Sequence, residues 1–226
     1  MTKCRWHVFK DLESLSIEAG KQILMLSHRA IDARGLFKIV LTGGRTPNRI
    51  YQLLAGSDAD WSRWVIYFSD ERCLPPDHAD RNSVMAARAW LDHVTILTGN
   101  IYTIPAEQGS NKAAHLYSEV LYQARPFDLV LLGMGEDGHI ASLFPGQSHD
   151  AAELVHPVHD APKPPPDRVT LGVNTLNDTN SLMVLIAGAT KREAVIRWQQ
   201  GESIPVASAG GRAGCDVYID EAANPE

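Results

Sequence analysis

Short apolar runs alternate with amphipathic stretches along most of this chain, and this alternation limits its fold more than any other feature. Nearly continuous apolar runs are typical of strands in a parallel sheet that is covered on both faces. The β-α-β-α order predicts a single α/β domain, 1–226, with a doubly wound, mostly parallel sheet and helices on both faces. The predicted strands are 37–42, 65–69, 127–132, 169–173 and 181–187, and the predicted helices are 11–34, 48–55, 83–91, 111–124 and 190–200.

The loop after the first predicted strand, a Gly-Gly-Arg-Thr-Pro segment, has the composition of an anion-binding turn. Doubly wound sheets bind ligands beyond the carboxyl ends of their strands, so such loops are where a site is expected. Gly43 and Gly44 allow the backbone to approach a ligand, and free N–H groups at the next helix start favour an anion. Arg45 and Thr46 add a positive charge and a hydroxyl. The same residues also fit a plain strand-to-helix turn with Pro47 at the first helical position.

Three ionisable residues, Asp70, Glu71 and Arg72, stand directly after the predicted strand 65–69. This is where a doubly wound fold places its active site, and an arginine there can pair with a phosphate or polarise a carbonyl. Asp70 and Arg72 are therefore candidate catalytic residues. A solvated loop with an internal ion pair remains the alternative interpretation.

The predicted strand 127–132 runs into a glycine-rich loop that carries Asp137 and His139. A histidine exchanges protons near neutral pH, and a neighbouring carboxylate can orient its ring, so these two residues are the strongest catalytic candidates. The glycines also spell G-x-G-x-x-G. A dinucleotide fingerprint opens a long helix, however, whereas Pro145 interrupts any helix soon after the motif. The pattern therefore argues against a nicotinamide or flavin cofactor.

Two further basic residues flank strands in the second half of the chain. Arg168 opens the predicted strand 169–173, and Lys191 lies at a predicted helix start. A lysine in a first helical turn opposes the helix dipole, which is mildly unfavourable unless an anion lies nearby. Both are candidates for binding a phosphate, although a solvated lysine is the alternative at 191. The proline-rich segment 147–167 between the motifs is predicted to be a long surface loop.

The formal net charge of −6 argues against a nucleic acid or an anionic membrane as partner, because either would require a basic surface. The N-terminal residues lack a signal-peptide core, and no stretch approaches the roughly 20 apolar residues of a membrane span. We therefore predict a cytoplasmic protein. The three cysteines show no paired spacing and are predicted to be reduced thiols: Cys4, Cys73 and Cys215. No metal is predicted, because three histidines of one loop match no compact ligand motif: His149, His156 and His159.

Several segments resemble, in the same order along the chain, the glucosamine-6-phosphate isomerase/6-phosphogluconolactonase family. The resemblance covers nearly the whole chain, and the segment around His139 is highly specific. It implies a Rossmann-like fold shared with the glucosamine-6-phosphate deaminases, a role in the oxidative pentose phosphate pathway, and no metal or cofactor. The segments are TGGRTP (42–47), SDER (69–72) with Asn82, GMGEDGHIASLFP (133–145), RVTL (168–171), GATK (188–191) and the closing strand 216–223.

The resemblance further implies hydrolysis of 6-phosphogluconolactone to 6-phosphogluconate by a monomer or weak homodimer. His139 would take a proton from the attacking water and return it to the ring oxygen, while Asp137 orients it and Arg72 stabilises the oxyanion. Asp70 belongs to the same catalytic group. The phosphate-binding residues would be Gly43, Gly44, Arg45, Thr46, Arg168 and Lys191.

Two alternatives stay open. The deaminases carry a glutamate five residues after the motif histidine, where this chain has Phe144. They also carry a tyrosine at the position that Arg72 occupies in this chain. A phenylalanine cannot transfer protons, so this difference favours lactone hydrolysis. A non-catalytic sugar-phosphate sensor of a transcription regulator would require a helix-turn-helix segment, for which the N-terminal residues offer no room.

Overall fold

The computed structural model describes residues 4–226, which form nine strands and six α-helices. The strands are β1 (Cys4–Phe9), β2 (Phe37–Leu41), β3 (Trp64–Phe68), β4 (Asp70–Arg72), β5 (Phe127–Gly133), β6 (Val155–Val158), β7 (Arg168–Leu171), β8 (Thr179–Ile186) and β9 (Cys215–Asp220). The helices are α1 (Leu12–Arg34), α2 (Arg45–Ala55), α3 (Asn82–Ala89), α4 (Ser110–Tyr122), α5 (Val173–Asn177) and α6 (Arg192–Gln199).

The larger sheet has six parallel strands in the order β1-β9-β8-β5-β2-β3. This confirms the prediction of an α/β fold on a mostly parallel sheet. The predicted strands 37–42, 65–69, 127–132 and 181–187 correspond to β2, β3, β5 and β8. Because β3 lies on one side of β2 and β5 on the other, the winding direction reverses between β2 and β5, which is where such folds open a crevice.

The helices follow the local signals of the sequence. Asp11 caps α1, because its carboxylate accepts from the backbone N–H of Ser14 at 2.8 Å, and Gly35 ends the helix with a left-handed φ of 80°. The predicted helices correspond to α1, α2, α3, α4 and α6. Helix α2 begins at Arg45, so Pro47 occupies its third position and not the first.

A second, antiparallel sheet of three strands, in the order β4-β7-β6, corrects two sequence predictions. The predicted strand 169–173 is present as β7, but it belongs to this small sheet and ends at Leu171. The predicted loop 147–167 contains β6, which carries a proline in an otherwise short and mixed sequence. Such a strand escapes detection because it is too short for a recognisable alternation of apolar residues.

The prediction of three reduced cysteines is wrong for two of them. Cys4 and Cys215 form a disulfide between β1 and β9, where they are register partners with Cα atoms 4.7 Å apart. Their separation of 211 residues explains why no spacing pattern announced the pair. Cys73 is a free, partly buried thiol, and burial raises its pKa to about 11.

The buried apolar side chains of both sheets and the helices around them form one continuous hydrophobic cluster. Strand β5 lies in its centre: all of its residues except Gly133 are buried. Within residues 4–226, no helix combines the length and hydropathy that a bilayer span requires. The small sheet packs against α4 and closes one side of the crevice at the carboxyl ends of β2 and β5.

Candidate active site

A cavity of about 410 Å³ lies at the carboxyl ends of β2, β5 and β8 and is bordered by β4 and β7. The fold thus brings together loops that are more than 100 residues apart in the sequence. Asp137 does not line the cavity itself but contacts the ring of His139. The other predicted site residues all line it: Gly43, Gly44, Arg45, Thr46, Asp70, Arg72, His139, Arg168 and Lys191.

His139, which lines the cavity, is paired with Asp137. The Nδ1 atom of His139 lies 2.5 Å from Oδ1 of Asp137, and the His139 side chain is 17% exposed. Burial lowers the pKa of His139 below its ordinary 6.5, although the carboxylate opposes this shift. Burial would raise the pKa of Asp137, but attraction to His139 and its hydrogen bonds hold that pKa below its usual value. A neutral imidazole can therefore face the cavity near pH 7.

Gly135 makes this pair possible. A Cβ atom at Gly135 would lie 2.0 Å from Nδ1 of His139 and 2.5 Å from Oδ1 of Asp137. The backbone N–H of Gly135 also donates to the carbonyl of His139 at 2.8 Å, which closes the loop around the ring. Only glycine fits at this position without displacing the pair.

Phe144 packs beside the imidazole on its other side. The two ring centroids are 4.7 Å apart, and Phe144 is 2% exposed. The guanidinium carbon of Arg168 lies 5.6 Å from the centre of the same phenyl ring. Phe144 therefore contributes to the burial of His139 and supplies no second proton-transfer group there.

Asp70 lines the cavity but is 4% exposed, and its carboxylate is extensively hydrogen-bonded. Oδ2 accepts from the hydroxyl of Ser142 at 2.7 Å, and Oδ1 accepts from the amide of Asn82 at 3.1 Å. Asn82 in turn packs against the glycine loop, since a Cβ at Gly43 would lie 2.0 Å from its Oδ1. Asp70 thus connects three walls of the cavity.

Glu71 points away from the cavity and is fully buried. Its Oε1 accepts from the backbone N–H of Arg72 at 2.9 Å and of Asn82 at 2.7 Å. Its Oε2 accepts from Ser83, through the backbone N–H at 2.9 Å and the hydroxyl at 2.7 Å, and lies 3.5 Å from Nε of buried Arg81. The sequence predicts no catalytic or binding role for Glu71, and in the structure its carboxylate joins β4 to the start of α3.

Arg72 and Arg168 are directly opposite each other in the antiparallel pair β4–β7, and both line the cavity. Like charges in this position repel each other. Arg72 donates from Nη1 to the backbone carbonyl of Asp80, and its buried Nε has no partner among residues 4–226. Burial lowers the pKa of Arg168, Asp70 opposes this shift, and Arg72 reinforces it.

The glycine loop and Lys191 form a further part of the cavity wall. Gly44 has a φ of 112°, which favours glycine, and α2 begins directly after it. Within residues 4–226, the N–H groups of Gly43 and Gly44 donate to no other group. Lys191 ends a short 3-10 turn before α6. Its pKa is lowered by burial against the pull of Glu136, and Lys163 and Arg45 lower it further.

Outside the cavity, the described residues hold no group of three or more His, Cys, Asp or Glu side chains that could bind a metal ion. The rings of His149 and His156 are 4.8 Å apart and line a separate pocket. His159 instead pairs with Asp167, with Nδ1 and Oδ1 3.0 Å apart.

A parallel α/β sheet that places an imidazole–carboxylate pair and several cations in one strand-end cavity defines an α/β protein suited to acid–base chemistry on a small anionic ligand. The chain belongs to the family described as "Glucosamine-6-phosphate isomerases/6-phosphogluconolactonase", which matches residues 10–217. A Mycobacterium leprae (strain TN) protein named 6-phosphogluconolactonase is 34% identical over 235 residues, covering 96% of this chain and 95% of its own length.

Solved structures agree with this assignment. A 6-phosphogluconolactonase of Thermotoga maritima superposes with a TM-score of 0.91 at 26% identity, covering 97% of this chain and 100% of that one. A monomeric glucosamine-6-phosphate deaminase has a TM-score of 0.84 at 20% identity, covering 97% and 98%. The second likeness concerns the fold alone, so the choice between the two activities depends on the residues of the cavity.

Proposed function

We propose that this chain is a hydrolase that converts 6-phosphogluconolactone to 6-phosphogluconate in the oxidative pentose phosphate pathway, without a metal or cofactor. The observation that carries the proposal is the pairing of His139 with Asp137 in a cavity that also holds the unpaired cations Arg45 and Lys191. A base and an anion-binding end are what hydrolysis of a phosphorylated lactone requires. The relatives named 6-phosphogluconolactonase support the same substrate.

In the proposed mechanism, His139 is the general base. Because its Nδ1 is engaged by Asp137, Nε2 is the nitrogen available to a water molecule in the cavity. The water oxygen forms a bond to C1 of the lactone while its proton passes to Nε2. The bond between C1 and the ring oxygen then breaks, and the imidazolium returns the proton to that oxygen. Arg72, which lines the same cavity, is assigned the stabilisation of the oxyanion that forms on the carbonyl.

The remaining residues bind and position the substrate in this proposal. Asp70 holds Ser142 and Asn82 in place through its hydrogen bonds and so shapes the catalytic end. The phosphoryl group is assigned to the end of the cavity where backbone N–H groups and positive charges converge, a combination that favours anions. That end comprises Gly43, Gly44, Arg45, Thr46, Arg168 and Lys191.

Phe144 favours hydrolysis over deamination. Its ring lies beside His139, where the sequence comparison places the deaminases' acid–base glutamate. A phenyl ring cannot relay the proton that ring opening of an amino sugar requires. A sensor without activity is disfavoured for a different reason. The absence of a side chain at Gly135 leaves room for His139 and Asp137 to pair, and ligand binding alone does not need this pair.

We also infer that residues 4–226 act as one domain, because their buried apolar side chains form a single cluster. We propose that the protein is a monomer or weak homodimer that acts on a small molecule and has no nucleic acid or membrane partner. We also propose that it is cytoplasmic. The disulfide between Cys4 and Cys215 bears against that location, since such bonds are rare in reducing compartments.

The test is acid release from freshly prepared 6-phosphogluconolactone, corrected for its spontaneous opening. Ammonia release from glucosamine 6-phosphate is measured in parallel, with His139→Ala as the matched control. We expect acceleration of the first reaction by the unmodified protein and none of the second. Ammonia release, or lactone opening at the spontaneous rate, would overturn the proposal.

A further inference from the structure

We propose that Lys163 is an additional binding residue for the substrate's phosphoryl group, and that Arg168 serves as the positioning residue that holds Lys163 at the cavity. This inference rests on the proposed function and deepens it. It assigns a role to the proline-rich segment 147–167 and makes the contribution of Arg168 to phosphate binding indirect.

Lys163 lies in a segment that the sequence predicts to be a surface loop, and its side chain reaches the cavity. It lines the same cavity as Gly43, His139 and Lys191. Within residues 4–226, no carboxylate lies within ion-pairing distance of its ammonium group, whereas the neighbouring His159 and Asp167 pair with each other. The cation is therefore available to a ligand in the cavity.

The guanidinium of Arg168 holds this segment through three backbone carbonyls. Nη2 donates to the carbonyl oxygens of Lys163 at 2.8 Å and Pro164 at 3.1 Å, and Nε donates to that of Pro165 at 3.1 Å. Only Nη1 remains, 3.5 Å from the hydroxyl of Ser142. Arg168 is 5% exposed, so its planar set of donors is committed to the loop.

The charges around the cavity fit a dianion bound near Lys163. Arg45, Lys163 and Lys191 line the same cavity, and none of them forms an ion pair within residues 4–226. Burial is the main cause of the lowered pKa of Lys191, and repulsion from Lys163 and Arg45 lowers that pKa further. A phosphoryl group carries about −1.5 to −2 charges near pH 7 and would relieve this repulsion.

Lys163 and His139 line the same cavity. Burial is the main cause of the lowered pKa of His139, Asp137 and Asp70 oppose the shift, and the positive charge of Lys163 adds to it. In this proposal a ligand that reaches from His139 to Lys191 also passes Lys163, since the three side chains line one cavity. The lactone carbonyl at one end and the phosphoryl group at the other meet this requirement.

The experiment compares Lys163→Met with Lys112→Met, an exposed lysine outside the cavity. Methionine keeps an unbranched stem and removes the charge. For Lys163→Met we expect KM for the lactone to rise about tenfold with kcat within about threefold, as loss of a charged hydrogen bond predicts. The inhibition constant for inorganic phosphate should rise in parallel, and Lys112→Met should change neither value. Unchanged KM and phosphate inhibition in Lys163→Met would overturn the proposal.

Calorimetric binding of 6-phosphogluconate, with gluconate as the unphosphorylated control, separates this inference from the proposed function. If the unmodified protein fails to hydrolyse the lactone but Lys163→Met still weakens 6-phosphogluconate binding, the role of Lys163 stands and the activity is wrong. If the protein hydrolyses the lactone and Lys163→Met binds 6-phosphogluconate normally, the activity stands and the role of Lys163 is wrong.

A double-mutant cycle tests Arg168. If Arg168 acts through Lys163, Arg168→Met should raise KM, and adding it to Lys163→Met should produce little further increase. Additive increases would show direct contact with the phosphoryl group and overturn the positioning role. Arg168→Lys provides the same test should the methionine variant fail to fold, because a lysine keeps the charge but lacks the planar donors that bind the three carbonyls.

Discussion

The proposed catalytic groups and the proposed phosphate-binding groups of the cavity are held in opposite ways. At the imidazole end, His139 and Asp137 are paired at 2.5 Å, and Asp70 is hydrogen-bonded to Ser142 and Asn82. At the anion-binding end, Lys191 and its neighbouring cations lack ion-pair partners within residues 4–226. Groups that move protons are thus fixed before the substrate arrives, whereas groups that bind charge are left for the substrate to neutralise. Changes at the two ends should therefore affect different kinetic constants.

The largest effect is expected at the imidazole end. His139→Ala removes the proposed base, so kcat should fall by about 10² to 10⁴, the usual contribution of general acid–base catalysis. Inhibition by inorganic phosphate should persist, because the cations are untouched. Steady-state kinetics with and without phosphate measure both values. Equal losses of turnover and phosphate inhibition would show that the two ends are not separate.

Gly135→Ala should produce the next largest effect. Its Cβ would lie 2.0 Å from Nδ1 of His139, so the ring must move, and a displacement of about 1 Å can lower kcat roughly 10²-fold. Gly20→Ala is the matched control, because a Cβ there meets nothing within 4 Å. Thermal unfolding of both variants shows whether the loss arises from the site. Full turnover in folded Gly135→Ala would contradict the proposed role of the pair.

A smaller effect is expected at the anion-binding end. Lys191→Ala removes a half-buried cation, and we expect KM to rise about tenfold while kcat stays within about threefold, as for other charged hydrogen bonds. Unfolding temperature should change little, because this lysine has no ion-pair partner within residues 4–226. An unaltered KM would remove Lys191 from the binding end.

The smallest effect concerns pH. Because the pKa of His139 lies below its ordinary 6.5, the base stays neutral at pH 7, and kcat/KM should fall only as the pH drops below 6.5. Lys163 helps to lower this pKa, so Lys163→Met should move the acidic limb toward higher pH. The pH profiles of the two proteins test this. An unchanged acidic limb, or a shift toward lower pH, would exclude the expected electrostatic influence of Lys163 on the imidazole.

The parallel sheet could be predicted from sequence because its central strands are nearly continuous apolar runs, interrupted in β5 only by Asp128 and the closing Gly133. The small sheet could not, because β4 has only three residues and β6 contains Pro157. The glycine-rich loops that contain Gly43 and His139 could be recognised as parts of a site for one reason. Glycines directly after a strand give the backbone the freedom to approach a ligand. Their meeting in one cavity follows from the reversal of winding between β2 and β5.

Other features depend on contacts that no local pattern encodes. Lys163 lies in a proline-rich segment that looks solvated, and its position depends on hydrogen bonds from Arg168 to the carbonyls around it. The pairing of Cys4 with Cys215 follows only from the adjacency of β1 and β9. In both cases the deciding information is which distant segment becomes a neighbour.

The buried carboxylate of Glu71 lies outside the cavity, yet it holds two parts of the cavity wall together. By accepting from Arg72, Asn82 and Ser83, it fixes a short strand and a helix start as a unit. Selection for altered substrate preference should therefore change side chains that face the lactone and leave this buried position intact. Redesign of the carbonyl-facing wall should accordingly keep Glu71 and vary the side chains it supports.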